Sequence, residues 1–356
     1  MTAKTLPLAR LNRSISRRIT FVIVSIGTLL SASAAYAQPA ATQYPITLDV
    51  CGAQPVTIAK APTRIVTPAP NITEYFLALG LGASVVGDFG GGLPVSGYKA
   101  EYASVPIFPT SAFTLEQITA AKPDLVYAGY GYGLEQGTPL SPDGLASRGI
   151  PTMVIFGSCS YSGGRQNQGA TASALGVRGQ DLQETYADIR NIGKIFSVSA
   201  KAEALIAAMQ DTVDKVQAAV KGRAPRSVFL FNGGHEAPGT AAGLSTPNAL
   251  ITLAGGRNIF NDLKEDYTKV SWEQVIAAQP DCIIVKNGSN SGTRGEDSIA
   301  FLKSSPITAN LPAVKNDCFL ILNQDQLTPG PLNAWAVQAV AHFLYPDAIA
   351  APSPTP

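Results

Sequence analysis

Two glutamates stand in nearly identical surroundings. Glu116 lies in the stretch Thr114 to Ala128, TLEQITAAKPDLVYA, and Glu273 in Ser271 to Val285, SWEQVIAAQPDCIIV, 157 residues later. Each copy opens with a hydroxyl residue followed three places on by Gln117 or Gln274, the pattern of a capping box that satisfies the free N–H groups of a helix's first turn. Each glutamate then falls in that first turn. Acids favour helix N-termini through the macrodipole alone, yet a pair of exposed, symmetry-matched carboxylates also suits two identical arginine sites, since guanidinium takes a carboxylate bidentately. Pro123 and Pro280 are placed to end the short helices, and a β-rich apolar run follows each. A unit repeated once at domain-sized spacing indicates two similar halves.

The remaining candidates are contacts for a ligand rather than parts of a reaction centre. Tyr130 and Tyr132 sit between glycines just past a strand, where amphipathic rings could line a wall; Tyr127 reads as strand core. Arg165 and Arg294 each lie in a Gly/Ser-rich loop and could neutralise an anion, although solvated surface arginine is the commoner role. His235, in Gly233-Gly234-His235-Glu236, is one of only two histidines; with Glu236 it forms the one plausible acid–base pair. Asn71 and Phe89 fall in loops expected to face the same space. No G-x-S-x-G, P-loop or dinucleotide fingerprint is present, and two histidines far apart do not make a bare-metal site. No catalytic residue, metal ligand or cofactor is expected. His342, Trp272 and Trp335 read as packing or surface.

The elements that would position these residues alternate between strand and helix at short spacing. This indicates an α/β fold: two Rossmann-like lobes with central parallel sheets, joined by one long rigid helix, with a ligand cleft between the lobes. The expected organisation is a signal peptide over 1–37, an N-terminal lobe over 44–198, an interlobe helix over 199–222, a C-terminal lobe over 223–347 and a disordered tail over 348–356. In the long helix, capped by Ser199, the residues Leu205, Met209, Val213, Val216 and Val220 fall on one face, and the helix should span roughly 33 Å. Ligand contacts belong at the carboxyl ends of the strands: Pro68 to Asn71, Phe89 to Pro94, Phe108 to Phe113, Gly129 to Gly133 and Ser158 to Arg165 in one lobe, and Asn232 to Pro238, Lys286 to Arg294 and Asn323 to Gly330 in the other.

The N-terminus reads as an export signal. Arg10, Arg13, Arg17 and Arg18 precede the apolar run Ile19 to Leu30, and Ala35-Tyr36-Ala37 forms a cleavage site. The run is short for a membrane anchor. No cysteine stands at the cleavage point, so no lipid anchor is expected there. Arg17-Arg18 hints at twin-arginine export, but Phe21 comes one place late, which favours the general route. Removing the signal's five basic residues leaves 21 against 25 acids, a charge of about −4, which disfavours nucleic acid or an anionic membrane as partner. The mature chain is expected to be a soluble monomer, periplasmic or secreted. Four cysteines in an oxidising compartment allow three pairings. Cys51 with Cys159 is favoured, closing a loop worth on the order of 4 kcal/mol. Cys282 with Cys318 is the second pair, with two buried thiols its equal alternative.

Several stretches carry a family resemblance over nearly all of the mature chain. Arg64 to Glu74, RIVTPAPNITE, followed by Leu77-Ala78-Leu79-Gly80 and Val85-Val86-Gly87, resembles the opening of periplasmic receptors for ferric siderophores, haem and vitamin B12. The two E-Q-x-x-A-A-x-P-D units and Leu253 to Phe260, LAGGRNIF, look like that family's later signatures, in the right order. The resemblance implies a substrate-binding protein that captures a metal chelate, a ferric siderophore first, and feeds an ABC importer. It further implies that Glu116 and Glu273 dock into arginine pockets on a dimeric permease. The alternatives are a cobalamin or haem receptor of the same family and, in a different class, an exported chelatase-like enzyme.

Overall fold

The computed structural model describes residues 42–48, 55–90, 97–108, 113–130, 133–135, 137–161, 179–288 and 294–354, with the side chains of 130 and 159–161 outside that set. The expected signal 1–37, Cys51, Tyr132 and Arg165 also lie outside the described residues.

An antiparallel hairpin comes first, β1 (Ile46–Leu48) with β2 (Val56–Ile58). The first main sheet follows. Its strand β3 (Ile65–Thr67) pairs in parallel with β4 (Val85–Asp88) and β5 (Leu125–Tyr130). Strand β5 pairs with β6 (Gly133–Leu134) and β7 (Thr152–Val154), again in parallel. Helix α1 (Pro70–Ala78) joins β3 to β4; α2 (Lys99–Tyr102) and α3 (Leu115–Ala121) lead to β5; α4 (Pro142–Ala146) precedes β7. Helices α5 (Gln183–Ile195) and α6 (Ser199–Val220) then carry the chain to the second lobe.

There, β8 (Ser227–Phe231), β10 (Arg257–Asn258), β12 (Cys282–Asn287) and β13 (Phe319–Asn323) form a parallel sheet in the order β10-β8-β12-β13. A small antiparallel pair, β9 (Gly239–Ala241) with β11 (Tyr267–Lys269), is an addition that periodicity did not reveal. The helices are α7 (Thr246–Leu253), α8 (Trp272–Ala278), α9 (Gly295–Ser304), α10 (Pro312–Lys315), α11 (Gln324–Leu327) and α12 (Asn333–Leu344). Alternation along the central strands explains their continuous apolar character. Val228, Leu230, Cys282 and Ile284 enter one buried cluster, and Phe229, Phe231, Ile283 and Val285 enter another. Both faces are covered, as a parallel sheet requires. The Cys282–Cys318 disulfide is present, with Cα atoms 4.8 Å apart. Cys51 and the Cys159 side chain lie outside the described residues, so the other expected pair is not addressed.

The repeated unit folds alike in both lobes. Gln117 N donates to Thr114 Oγ1 at 3.3 Å and Gln274 N to Ser271 Oγ at 3.3 Å; the reciprocal side-chain contacts complete both capping boxes. Each helix ends on a left-handed residue, Lys122 (φ 47°) or Gln279 (φ 44°). The next residue is proline, which bars the right-handed helical conformation just before it. The aspartate of each Pro-Asp then reaches across the sheet. Asp124 accepts from the backbone N–H of Thr63 and of Arg64 (2.8 Å), and Asp281 from that of Ser227 (2.7 Å). Each copy thus fixes the start of its lobe's first strand.

The long helix buries Ala202, Ile206, Met209, Val213, Val216 and Val220. Ile206 takes the inward place expected for Leu205. Val198, without a side-chain cap, precedes the helix, and Ser199 is its first residue rather than its cap. The helix packs on α5 of the first lobe and α12 of the second. The tail expected to be loose lies along α12 as far as it is described: Trp335 Nε1 donates to Ser353 O (2.7 Å) and Gln338 Nε2 to Ala350 O (3.3 Å).

The lobes also meet directly. Asn333, fully buried, donates to Thr328 O (2.8 Å) and Gln326 O, and its Oδ1 accepts from Gly330 N (3.0 Å) and from Thr185 Oγ1 of the first lobe (3.1 Å). Asn71 Nδ2 donates across the same junction to Pro329 O (2.8 Å). A methyl group at Gly157 would collide with the Pro329 ring, so the first lobe needs glycine where the second touches it. Asn333→Ala strands several buried polar groups at once. We expect a loss of about 3 kcal/mol in urea unfolding with little change in slope; a loss under about 0.5 kcal/mol would show that the junction repacks without it.

Candidate functional site

The repeat places its two carboxylates at one end of each lobe. A short helix that turns sharply into a strand runs antiparallel to it, so its N-terminus returns to the strand's carboxyl end. Side-chain contacts agree. Phe113, just before α3, lies against Gly133, just after β5. Trp272 Nε1, at the start of α8, donates to the carbonyl of His235 in the loop after β8 (2.7 Å). Glu116 and Glu273 are both exposed there, beside the loops expected to line the cleft. Hydrogen bonding to the Ser271 side chain, and then to its own backbone amide, holds the Glu273 carboxyl below its usual range. Glu273 is an anion at neutral pH.

The expected ligand contacts divide. Asn71 is 1% exposed and occupied at the lobe junction. Phe89 is 3% exposed, stacked on Phe108 at 4.4 Å and edge-on to Phe113 at 5.5 Å. Neither offers a free surface: what reads as the start of a loop at Phe89 is still tied to the sheet, its N–H donating to Thr67 O (2.9 Å). Tyr130 ends β5, but its side chain lies outside the described residues, as do Tyr132 and Arg165. Arg294 is exposed at the head of α9. His235 is exposed and stacked on Phe301 at 4.0 Å and 11°. Tyr127 is strand core, its hydroxyl donating to the buried Asp188 (3.3 Å), and Trp272 is buried among Phe229, Phe231 and Phe301. Among the described residues no group of three or more His, Cys, Asp or Glu could hold a metal.

Two features at the cleft end lie within or against the expected loops but have a character that the sequence did not show. The loop expected over Asn323 to Gly330 contains α11, and its Asp325 (2% exposed) faces the fully buried Glu74 of α1 across the lobe junction. Burial, then the charge of Asp325 and hydrogen bonding with it, push the Glu74 carboxyl well above its usual pKa; the Gly97 amide offsets part of this, and Asp88 adds to it. Two carboxyls in a dry contact can bond only if they hold a proton between them. The second feature is Lys286, half-buried near the end of β12 with its ammonium 5.4 Å from the centre of the Tyr267 ring. Its signal in the sequence was a lone charge closing the apolar run Cys282 to Val285.

Two parallel α/β lobes on one long helix, with matched carboxylates beside the cleft loops, define a two-lobed binding protein. The chain belongs to the periplasmic binding protein family, whose profile matches residues 65–325. An uncharacterized ABC transporter substrate-binding lipoprotein from Bacillus subtilis, YvrC, is 24% identical over 311 residues, 85% of this chain and 87% of that protein. The vitamin B12-binding protein of Yersinia pestis is 26% identical over 73% of this chain and 81% of its own. Among solved structures, a periplasmic binding protein from Veillonella parvula superposes with a TM-score of 0.69 at 23% identity, covering 85% of this chain and 98% of that one. An ABC-type Fe3+-hydroxamate transport system protein from Saccharomonospora viridis gives 0.68 at 24%, covering 85% and 99%. The family match establishes a periplasmic binding protein, and the structural similarities its fold. Among the described residues no helix is long and apolar enough to cross a membrane.

The Glu74–Asp325 contact makes stability depend on pH. Because burial and Asp325 raise the Glu74 pKa above its ordinary value of 4.5, its contribution is complete below that value and is lost as pH rises through the raised one. Glu74→Gln keeps a donor for Asp325 without the titration. Urea midpoints from pH 4.5 to 8.5 should show the variant gaining on the wild type as pH rises, by about 1.4 kcal/mol for each unit of the raised pKa. Parallel pH profiles would mean that Glu74 ionises freely.

Proposed function

We propose that this chain is a periplasmic receptor that binds an iron–siderophore complex or a related metal chelate and delivers it to an ABC import permease in the inner membrane. The observation that carries the reading is the pair of exposed glutamates, Glu116 and Glu273. Each is fixed by a capping box in the first turn of a short helix, one per lobe, at the cleft end. A dimeric permease with an arginine pocket on each half would accept both, and a bidentate guanidinium–carboxylate pair would orient the receptor with its cleft toward the pore. Relatives whose names specify vitamin B12, Fe3+-hydroxamate and haem support a chelate as cargo, with cobalamin and haem as the alternative ligands. We read 1–37 as a signal removed on export, with the mature chain a periplasmic monomer.

The protein acts by binding alone. The acid–base candidate His235 has its ring stacked on Phe301 and its backbone carbonyl held by Trp272 Nε1, which suits a residue lining the cleft wall. Arg294 and His235, with Tyr130, Tyr132 and Arg165 of the first lobe, are the contacts we assign to the ligand.

Replacing both glutamates, Glu116→Ala with Glu273→Ala, should abolish uptake in whole cells while the purified variant keeps its affinity for the chelate; lost affinity would sink the docking assignment. The helix packed on both lobes and the buried junction at Asn333 further predict only a small closure. Solution scattering with and without bound chelate should give nearly equal radii of gyration, and a contraction typical of wide hinge closure would contradict this.

A further inference from the structure

Strand β12 ends on two polar residues that are treated differently. Asn287 is engaged on both sides: its Nδ2 donates to Asn323 Oδ1 (2.7 Å) and its Oδ1 accepts from Gly295 N (3.0 Å). Lys286 is the next residue on the face that carries Cys282 and Ile284 into the larger core cluster. It continues that buried row to the end of the strand. In register it lies opposite Leu322, one place before Asn287 meets Asn323, and its neighbour Val285 lies opposite Phe231, the last residue of β8. The side chain therefore stands at the carboxyl ends of three adjacent strands, beside the loops that open toward the first lobe.

Its ammonium has the Tyr267 ring, 5.4 Å away, and no ion-pair partner among the described residues. Helix α11 packs against β12, but its acid, Asp325, faces Glu74 of the first lobe instead. Among the described residues, Tyr267 is the titratable group that faces the amine. Burial alone lowers the pKa of Lys286 to about 8, with no charged neighbour shifting it. A ring face compensates a desolvated ammonium only in part, and an anion in good hydrogen-bonding geometry offsets more of that cost.

We infer that Lys286 is a charge contact for the ligand in the second lobe, alongside Arg294, an ammonium held ready for a carboxylate on the incoming chelate. The inference rests on the receptor reading and narrows it to cargo that presents carboxylate oxygens, either on a tetrapyrrole or on an iron-binding polycarboxylate. The Tyr267 ring limits the ammonium's positions, so the carboxylate meets a fixed point charge.

Quenching of tryptophan fluorescence in the full mature chain tests this with four probes: haemin and ferric citrate, which carry carboxylates, and ferrioxamine B and cyanocobalamin, which carry none. Wild type should bind haemin or ferric citrate, the one that binds identifying the source of the carboxylate. Lys286→Met should weaken that binding at least tenfold while its melting temperature stays equal or rises. In the wild type, affinity should fall about tenfold between pH 7 and pH 9, as the free amine loses its proton near pH 8. This profile needs no variant. Equal binding by Lys286→Met and a flat pH profile would overturn the inference and leave the receptor reading standing. Binding confined to ferrioxamine B or cyanocobalamin would do the same. Wild type that retains none of the four would remove the receptor reading, and this inference with it.

Discussion

The buried face of the long helix governs the rest of the molecule. Ile206, Met209, Val213 and Val216 lie along one side of it, and that side packs on α5 of the first lobe and α12 of the second. Shifting one lobe against the other would open gaps along this strip, and close-packed interiors resist such gaps. The separation of the two lobes is therefore set by packing and not by a flexible link. A receptor that engages two sites at once needs that fixed span, because the second contact gains from the first only if the geometry is already right.

Carboxyl groups perform three different tasks here, and environment alone assigns them. Asp124 and Asp281 accept backbone N–H groups at the start of a strand and so fasten each repeat to its sheet. Glu116 and Glu273 stay exposed, charged and free of the core. Glu74 and Asp325 are buried against one another, where one proton makes the contact possible. In water these groups would differ by a few tenths of a pKa unit. Burial and the charge of Asp325 lift Glu74 well above that range, and hydrogen bonding with Ser271 holds Glu273 below it.

The lobe junction and the cleft share a segment. Residues 324–333 carry Asp325 toward Glu74, Pro329 toward Asn71 and Gly157, and Asn333 toward Thr185. Any ligand that moves the lobes must work against this buried hydrogen-bonded set. That favours small adjustments of exposed side chains such as His235 and Arg294 over wholesale rearrangement.

Local chemistry made much of this legible in the amino-acid order. Hydroxyl and glutamine three residues apart specify a helix start wherever they occur, a proline two residues past the last helical turn forces the chain out of the helix, and alternating apolar runs specify buried strands. The two matched carboxylates, both parallel sheets and the long helix follow from such rules, because each depends on neighbours close in sequence. The misread residues share the opposite property. Phe89 and Asn71 look like loop residues but are buried by Phe108 and by Pro329, and Leu205 yields its inward place to Ile206 once two lobes must be satisfied together. The Glu74–Asp325 contact was invisible for the same reason, and the partial burial of Lys286, which the sequence placed at the start of a ligand loop, was too. Whether a charge is solvated, paired or left alone depends on groups brought near it from distant parts of the chain, and only the tertiary structure decides which groups those are.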